Sequence, residues 1–406
     1  MALNFFIQKT RNNKMTSKRK VGAVIIMRPN HNNYGTALQG YASIQVLKKL
    51  EYPFRIIRYN KKGGYLRKIK NLPGLLRTGA LSEFLRRRKK QKFLKENETY
   101  AKQIKTRNLV VNEFKNTYFE PYCDYYDTYK DLEKGANNYD VIFVGSDQVW
   151  GPLSLYSGFY NLLFVDKSIP HFSYASSFGK GMIFDWQRKK TAEYLNRLNR
   201  IGVREIRGQE IVKELTGRDA EVVADPTMLL SRNDWDEVIS KSNKKIGEPY
   251  ILSYVLGHNE TTRKTITELG RNLNLKVVSF PHMDNYEPFD CQFGDIQLFD
   301  ADCLDFVNLI KNADYVCTDS FHCAVFSIIF HKKFLSFYRH SQSDKMSSNS
   351  RIDSLLSIFG LKERLFKSDL NAENAIDAEI DYERVDLILN DLRDKSMDFF
   401  KSCLEM

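Results

Sequence analysis

Short polar clusters stand where apolar runs end, and one of them carries an imidazole. Thr318-Asp319-Ser320-Phe321-His322 separates the run Tyr315-Val316-Cys317 from a second apolar stretch, Phe321 to Phe330. Ser320 has the chemistry of a helix N-cap, which places His322 in the first turn. Backbone N–H groups lack partners in that turn and favour an anion. An imidazole in such a place is a usable acid once a phosphate or carboxylate binds beside it. The plainer reading is a histidine bonded to loop carbonyls. Gly145-Ser146-Asp147-Gln148-Val149-Trp150 ends another run. Asp147 could accept a proton from a sugar hydroxyl and Trp150 could stack on a sugar face; the alternative is an N-cap aspartate beside a core tryptophan.

Arg204 directly follows Arg200 to Val203. A guanidinium there can clamp a carboxylate or phosphate with two parallel hydrogen bonds, or else pair with Glu205 or Glu221. Arg351, in Ser347-Ser348-Asn349-Ser350-Arg351, is a second candidate clamp. In Asn32-Asn33-Tyr34-Gly35-Thr36, Gly35 permits close backbone approach, while Asn33 and Thr36 are potential caps. This stretch is neither a Walker loop nor Gly-x-Gly-x-x-Gly, so it gives nucleotide binding no support. His171 and Ser173, on a strand, read as structural. Asp225-Pro226 reads as a hinge rather than a site. The other histidines (His31, His258, His282, His331, His340) show no metal spacing.

The elements that must position these groups alternate. Strands are expected at Val21–Met27, Phe54–Tyr59, Asp140–Val144, His171–Phe178, Arg200–Val203 and Glu221–Ala224. A second set is expected at Tyr250–Val255, Lys276–Phe280, Tyr315–Cys317 and Phe334–Phe337. Helices are expected at Thr36–Leu50, Glu205–Leu215, Glu260–Leu273, around Cys303 to Ile310, at Phe321–Phe330 and around Val385 to Leu392. Alternation in both halves predicts an α/β protein with two Rossmann-like parallel-sheet domains facing across a cleft. Ligands would then sit beyond the carboxyl ends of strands. The expected limits are a basic, disordered tail at 1–20 with Met15 a candidate start, a first domain at 21–230, a second at 231–345, and C-terminal helices at 346–406 packing back on both. A basic helical insertion is expected at 61–107.

The chain has 406 residues, enough for two domains. No apolar stretch approaches the ~20 residues that span a bilayer, and Leu3 to Ile7 is too short for a signal-peptide core. Six cysteines without metal spacing suit a reduced cytoplasmic protein. Net charge is +12, but Arg55 to Arg107 carries 18 Lys plus Arg against 3 Glu, so the rest, 44 against 47, is slightly acidic. Within that block, Leu81, Phe84, Leu85, Phe93 and Leu94 interleave with Arg86 to Lys90. An anionic membrane surface, a nucleic acid or plain solvent could face it. No zinc-finger spacing or aromatic RNA-binding signature favours nucleic acid.

These motifs in order resemble the polysaccharide pyruvyl transferase family. The resemblance rests on Asn33-Tyr34-Gly35-Thr36-Ala37-Leu38-Gln39-Gly40-Tyr41, Gly145 to Trp150, Tyr174-Ala175-Ser176-Ser177-Phe178-Gly179, Val203-Arg204-Glu205, Ala224-Asp225-Pro226-Thr227 and Thr318 to His322. It implies a GT-B-like fold, phosphoenolpyruvate as donor, a sugar as acceptor, and a pyruvate ketal with released phosphate as products. Arg204 and His322 match donor-binding positions. Where some members have Arg-Leu-His, this chain has Ser320-Phe321-His322; either Arg351 or Arg339 replaces that arginine, or the donor differs. The expected assignment is His322 and Asp147 as catalytic, with Arg204, Ser320, Thr318 and Arg351 toward the donor. Asn33, Tyr34, Gly35, Gln148 and Trp150 are expected toward the acceptor. No metal is expected, and no cofactor beyond phosphoenolpyruvate as co-substrate. The acceptor would be a polyprenyl-diphosphate-linked oligosaccharide, reached from the cytoplasmic membrane face through 61–107. The alternatives are a GT-B glycosyltransferase using a nucleotide sugar and a non-catalytic glycan-binding relative; nucleic acid is not expected.

Overall fold

The computed structural model describes residues 18–27, 33–60, 80–152, 158–281, 287–341, 344, 347–367 and 369–406. Residues 1–17 of the expected tail, 61–79 of the expected insertion, and Asn32 lie outside them. Two parallel sheets form the frame. The first contains β1 (Val21–Val24), β2 (Phe54–Tyr59), β3 (Cys123–Tyr126), β4 (Val141–Val144), β5 (His171–Ser176), β6 (Arg200–Val203) and β7 (Glu221–Val222). Its spatial order is β3-β2-β1-β4-β5-β6-β7, with every pairing parallel. The second contains β8 (Tyr250–Tyr254), β9 (Lys276–Ser279), β10 (Ile296–Gln297), β11 (Tyr315–Thr318) and β12 (Lys333–Ser336), ordered β10-β9-β8-β11-β12 and also all parallel. β1 and β4 are buried along their whole length, as strands covered on both faces must be. Strand order reverses between β1 and β4 in one sheet and between β8 and β11 in the other, where parallel sheets open a crevice for ligands.

Among the described residues, several connections fasten the lobes. Helix α1 (Tyr34–Lys49) follows β1 and is capped by Asn33, whose Oδ1 accepts from the Thr36 N–H. Its first residue, Tyr34, inserts into aromatic rings of the second lobe. It stacks on Phe306 with centroids 4.6 Å apart, and its hydroxyl donates to Ala301 O at 2.8 Å. The second connection comes from the helix pair α2 (Ala80–Glu96) and α3 (Glu98–Tyr118). Arg107 of α3, counted above in the basic block, is not a surface charge. It is buried, lies 4.9 Å over the Tyr34 ring, and donates to the carbonyls of Phe299 (3.1 Å) and Leu298. Phe93, Leu94, Tyr100 and Ile104 pack with Phe299 around it.

The third connection is the long C-terminal helix. After α4 (Phe321–Ile329) and α5 (Ser350–Phe359), helix α6 (Tyr382–Leu404) returns to the first lobe. There Phe400 lies edge-on to Phe143 and Phe172 and 4.8 Å from Tyr174. Ser396 Oγ accepts the Ala224 N–H at 2.8 Å, and Arg393 donates to Met228 O.

Most strands begin where the apolar runs begin. The expectation missed β3 and β10. β3 is Cys-Asp-Tyr-Tyr at a sheet edge with only Cys123 buried, and β10 has two residues, too few to show a period. It also stopped the insertion at 107, whereas α3 runs on to Tyr118 because Val111 and Phe114 continue its buried face.

Candidate active site

The groups singled out by chemistry come from separate strand ends and meet between the lobes. Thr36 follows β1, Ser146 and Asp147 follow β4, Arg204 follows β6, Asp225 follows β7, His322 follows β11 and Arg339 follows β12. At the reversal between β1 and β4, the Thr36 hydroxyl donates to Asp147 Oδ2 at 2.6 Å. Asp147 has φ +74°, a left-handed conformation costing roughly 1 kcal/mol outside glycine. It is held there because its carbonyl accepts from the N–H groups of Val149 and Ser177. Nearby, β5 shifts register against β6 between Ser173 and Ser176, with Ala175 also left-handed. This irregularity turns the Ser176 hydroxyl onto Gly145 O (3.0 Å), tying down the loop that carries Asp147.

Arg204 and Asp225 form the centre. Arg204 donates from Nε to Glu205 Oε1 and from Nη1 to Asp225 Oδ2, both at 3.0 Å, and its Cζ lies 4.2 Å over the Phe321 ring. Its Nη2 stands 3.8 Å from Asp147 Oδ1 and has no hydrogen-bond partner although buried. Of the two pairings the sequence allowed, Glu205 is real, while Glu221 pairs with Arg200 instead. Asp225 Oδ2 also accepts from the Ser146 hydroxyl (2.8 Å), and Oδ1 accepts from the N–H and hydroxyl of Thr227 (3.0 and 2.8 Å). The hinge reading of Asp225 is therefore corrected: it is fully buried and its carboxylate is the hub of the site.

His322 is 5 % exposed, in the first turn of α4 as expected. Its Nε2 lies 3.4 Å from Asp225 Oδ2, without hydrogen-bond alignment. Its other nitrogen faces Gly35. A Cβ at that position would fall within 2.5 Å of the imidazole Cγ and closer still to Nδ1. Gly35 is thus the close approach that its type suggested. Gly35→Ala is expected to displace the imidazole and cut kcat about tenfold or more, because a misplacement of ~1 Å is costly to catalysis; side-by-side kcat and thermal-melt measurements check that the fold survives.

Burial pushes the Asp147 carboxyl up, but Arg204, then His322, the Thr36 hydroxyl and Arg351 outweigh it and leave it below the ordinary carboxylate range. Asp225 is likewise held low, with His322 and then Arg204 overcoming burial. Arg351, near the start of α5, is nine-tenths buried. Its guanidinium is pushed down to about 9, by burial first and then by repulsion from Arg339 and Arg204. Its Nε donates to Ser348 O at 3.3 Å. A bound anion would relieve that repulsion.

Other expected residues are placed differently. Trp150 is a core residue: its ring packs on Phe178 and its Nε1 donates to Tyr160 O at 3.2 Å, which leaves no face for a sugar. Tyr34 spends its ring and hydroxyl on the second lobe, and Asn33 spends its side chain as a cap. The Thr318 hydroxyl donates to Tyr254 O and accepts the Ser320 N–H, so it shapes the turn. Ser320 sits at the cap position, but its side chain makes no cap bond. Gln148 is partly exposed and lies against Gly179, which has φ +67°. Asp319 is structural: it accepts the N–H groups of Leu256 and Gly257 and pairs with Arg339. His171 is buried with Nδ1 on Ile169 O, and burial lowers its pKa. Among the described residues no cluster of three or more His, Cys, Asp or Glu could hold a metal ion.

With five of the motifs converging on one buried network, a family comparison decides the class. The family model for polysaccharide pyruvyl transferase matches residues 33–341. The chain belongs to the polysaccharide pyruvyl transferase family. That interval contains every site group except Arg351, which lies just past it. No curated protein matches the chain significantly. Among solved structures, the chain is similar to UDP-N-acetylglucosamine 2-epimerase from Rickettsia bellii (11% identity, 94% of this chain and 98% of that one, TM-score 0.45). It is similar to the Methanocaldococcus jannaschii UDP-GlcNAc 2-epimerase (13%, 91% and 99%, 0.44). A third is MurG from Acinetobacter baumannii (9%, 95% and 98%, 0.42). As a pyruvyl transferase family member, the protein is a transferase of polysaccharide pyruvylation in the broad sense, and its site is read in that light.

Proposed function

We propose that this transferase moves the enolpyruvyl group of phosphoenolpyruvate onto a sugar of a surface polysaccharide or its lipid-linked precursor. The product is a cyclic pyruvate ketal, and phosphate is released. One observation carries the donor reading. His322 Nε2 and Arg204 Nη2, both buried without hydrogen-bond partners, flank the same carboxylate pair at the N-terminus of α4, with Arg351 beside them. Phosphoenolpyruvate carries up to three negative charges. Arg204, Arg351 and the first-turn N–H groups behind Ser320 are the groups suited to its carboxylate and phosphate. Arg351 takes the part of the arginine that position 320 lacks.

His322 gives a proton to the methylene carbon, and C2 becomes electrophilic. A sugar hydroxyl attacks C2 and its proton passes to Asp147. A carboxylate held low is a weak base, but the attacking hydroxyl becomes strongly acidic as its bond to C2 forms. The C2–O bond to phosphate then breaks, and a second hydroxyl closes the ketal. Of the two hydroxyl protons, one restores His322 and one leaves with phosphate. Positioning and electrostatics supply the rate enhancement, and no cofactor beyond the co-substrate enters the scheme.

The test is mass spectrometry of lipid-linked glycans incubated with the protein and phosphoenolpyruvate. A product heavier by one pyruvate less one water is expected. Thermal stabilisation by UDP or GDP but not by phosphoenolpyruvate would instead favour nucleotide-sugar transfer.

The acceptor we propose is polyprenyl-diphosphate-linked, reached at the cytoplasmic membrane face. No helix among the described residues is long and apolar enough to cross a membrane. Support comes from α2, where Leu85 is 55 % exposed beside exposed Arg88 and Lys89. Neutralising Arg86 to Lys90 is expected to lower binding to anionic liposomes at low salt by about tenfold or more, since each basic residue contributes ~1 kcal/mol near such a surface. Sedimentation with phosphatidylserine vesicles measures it, and unchanged binding defeats the docking idea.

A further inference from the structure

We propose that Arg339 and Arg351 together hold the phosphate group of the donor, leaving its carboxylate to Arg204. This deepens the reading of phosphoenolpyruvate as the donor and rests on it. The loop after β12 brings the two guanidiniums together. His340 donates its N–H to Asn349 Oδ1 (3.2 Å), and the Asn349 amide donates back to His340 O (2.8 Å). Tyr338 donates its hydroxyl to Asp353 Oδ1 at 2.6 Å. The loop is therefore fastened to the start of α5 at two points. Arg339 lies between them on the loop, and Arg351 between them on the helix side. Arg339 also reaches the N-terminus of α4. Its Nη2 donates to Asp319 O (3.1 Å) and Oδ1 (3.2 Å), one residue before the cap position Ser320.

Both side chains have hydrogen-bonding capacity left over. Arg339 Nε is buried without a hydrogen-bond partner. Arg351 is nine-tenths buried, yet among the described residues only its Nε is hydrogen-bonded, to Ser348 O, and no carboxylate pairs with it. Burial acts most strongly on its charge, and after that repulsion from Arg339 and then Arg204 outweighs the pull of Glu205 and Asp147. A buried guanidinium in that position is unfavourable until an anion completes it.

The division between carboxylate and phosphate follows from the charges on each side. Arg204 is surrounded by Glu205, Asp225 and Asp147, and its idle Nη2 stands 3.8 Å from Asp147 Oδ1. A dianion there would meet that carboxylate, whereas a monoanionic carboxylate needs only the one donor. On the second lobe, two guanidiniums face one acid, Asp319, whose oxygens already accept the N–H groups of Leu256 and Gly257. The surplus positive charge is on that side. A phosphate with several strong acceptor oxygens suits two forked donors beside a helix N-terminus.

The experiment is a thermal-shift titration of the full-length protein with inorganic phosphate and, separately, with phosphoenolpyruvate. Inorganic phosphate is expected to stabilise the unsubstituted protein. Arg339→Gln and Arg351→Gln are each expected to weaken its binding by about tenfold or more, the usual loss when a charged hydrogen-bond donor is removed. Arg204→Lys keeps a positive charge among the three carboxylates but loses the fork. It is expected to bind inorganic phosphate as before and phosphoenolpyruvate about tenfold more weakly. Arg351→Gln should not lower the ligand-free melting temperature, since it removes an unpaired cation; a purely structural arginine would lower it. Arg339→Lys, which keeps a counter-charge for Asp319, decides if Arg339→Gln does not fold. Absence of stabilisation by millimolar phosphate, or unchanged phosphate affinity in Arg339→Lys and Arg351→Gln, overturns the proposal. Loss of phosphate binding in the variants, with no pyruvylated product formed from phosphoenolpyruvate by the unsubstituted protein, leaves the phosphate site standing and overturns only the donor reading.

Discussion

His322→Asn lowers the rate of phosphate release by about 10²- to 10⁴-fold, the range a positioned general acid supplies, while phosphoenolpyruvate still raises the melting temperature. The split follows from geometry. Asparagine fits the space against Gly35 and can still face Asp225, so the network around Arg204 persists. What is lost is the only imidazole among the described residues meeting there, and with it the group proposed to protonate a carbon. Donor binding rests instead on Arg204, Arg351 and the helix N-terminus. A coupled phosphate assay with a parallel thermal-shift titration separates the two effects. Activity within tenfold of the unsubstituted protein would mean that His322 is not the acid.

Arg204→Gln abolishes stabilisation by phosphoenolpyruvate and also costs the fold about 3–5 kcal/mol, the usual result of stripping one partner from a buried ionic cluster. The size is expected because three carboxylates, Glu205, Asp225 and Asp147, surround this one guanidinium, which is buried in the interior. The pH dependence has a definite sign. Asp225 and Asp147 have folded-state pKa values below their unfolded values. Their contribution is fully present above the unfolded carboxylate range, about pH 4, and is lost as pH falls toward the folded values. Without Arg204 those folded values rise, so the acid side of the stability curve becomes shallower. Urea unfolding from pH 7 down to pH 3 measures both effects. A loss under 1 kcal/mol with donor stabilisation intact would remove Arg204 from the site.

Much of the frame could be read from the chain because buried parallel strands leave plain apolar runs. Phe54–Tyr59 and Arg200–Val203 come out at the residues the runs suggested. The site was legible as types at strand ends: His322, Asp147, Arg204 and Gly35 do come together. What misled was the assumption that aromatic or polar groups in a motif face the substrate. Trp150, Tyr34 and Thr318 are where they are because an indole, a phenol and a hydroxyl each found a carbonyl inside the protein. Asp225 was missed for the opposite reason. Its Pro226 suggested a bend, but its place just beyond β7 is the same kind of place that singled out Asp147 and Arg204, and that parallel was the available signal.

The return of α6 bears on how the molecule is made. Phe143, Phe172 and Tyr174 belong to strands that leave the ribosome early, yet the rings that cover them, Phe399 and Phe400, are synthesised more than two hundred residues later. During that interval one greasy face of the nascent first lobe has no cover. A polypeptide halted before Ser396 would carry that bare face permanently, inviting chaperone capture or clumping even though every strand of both sheets had already been translated.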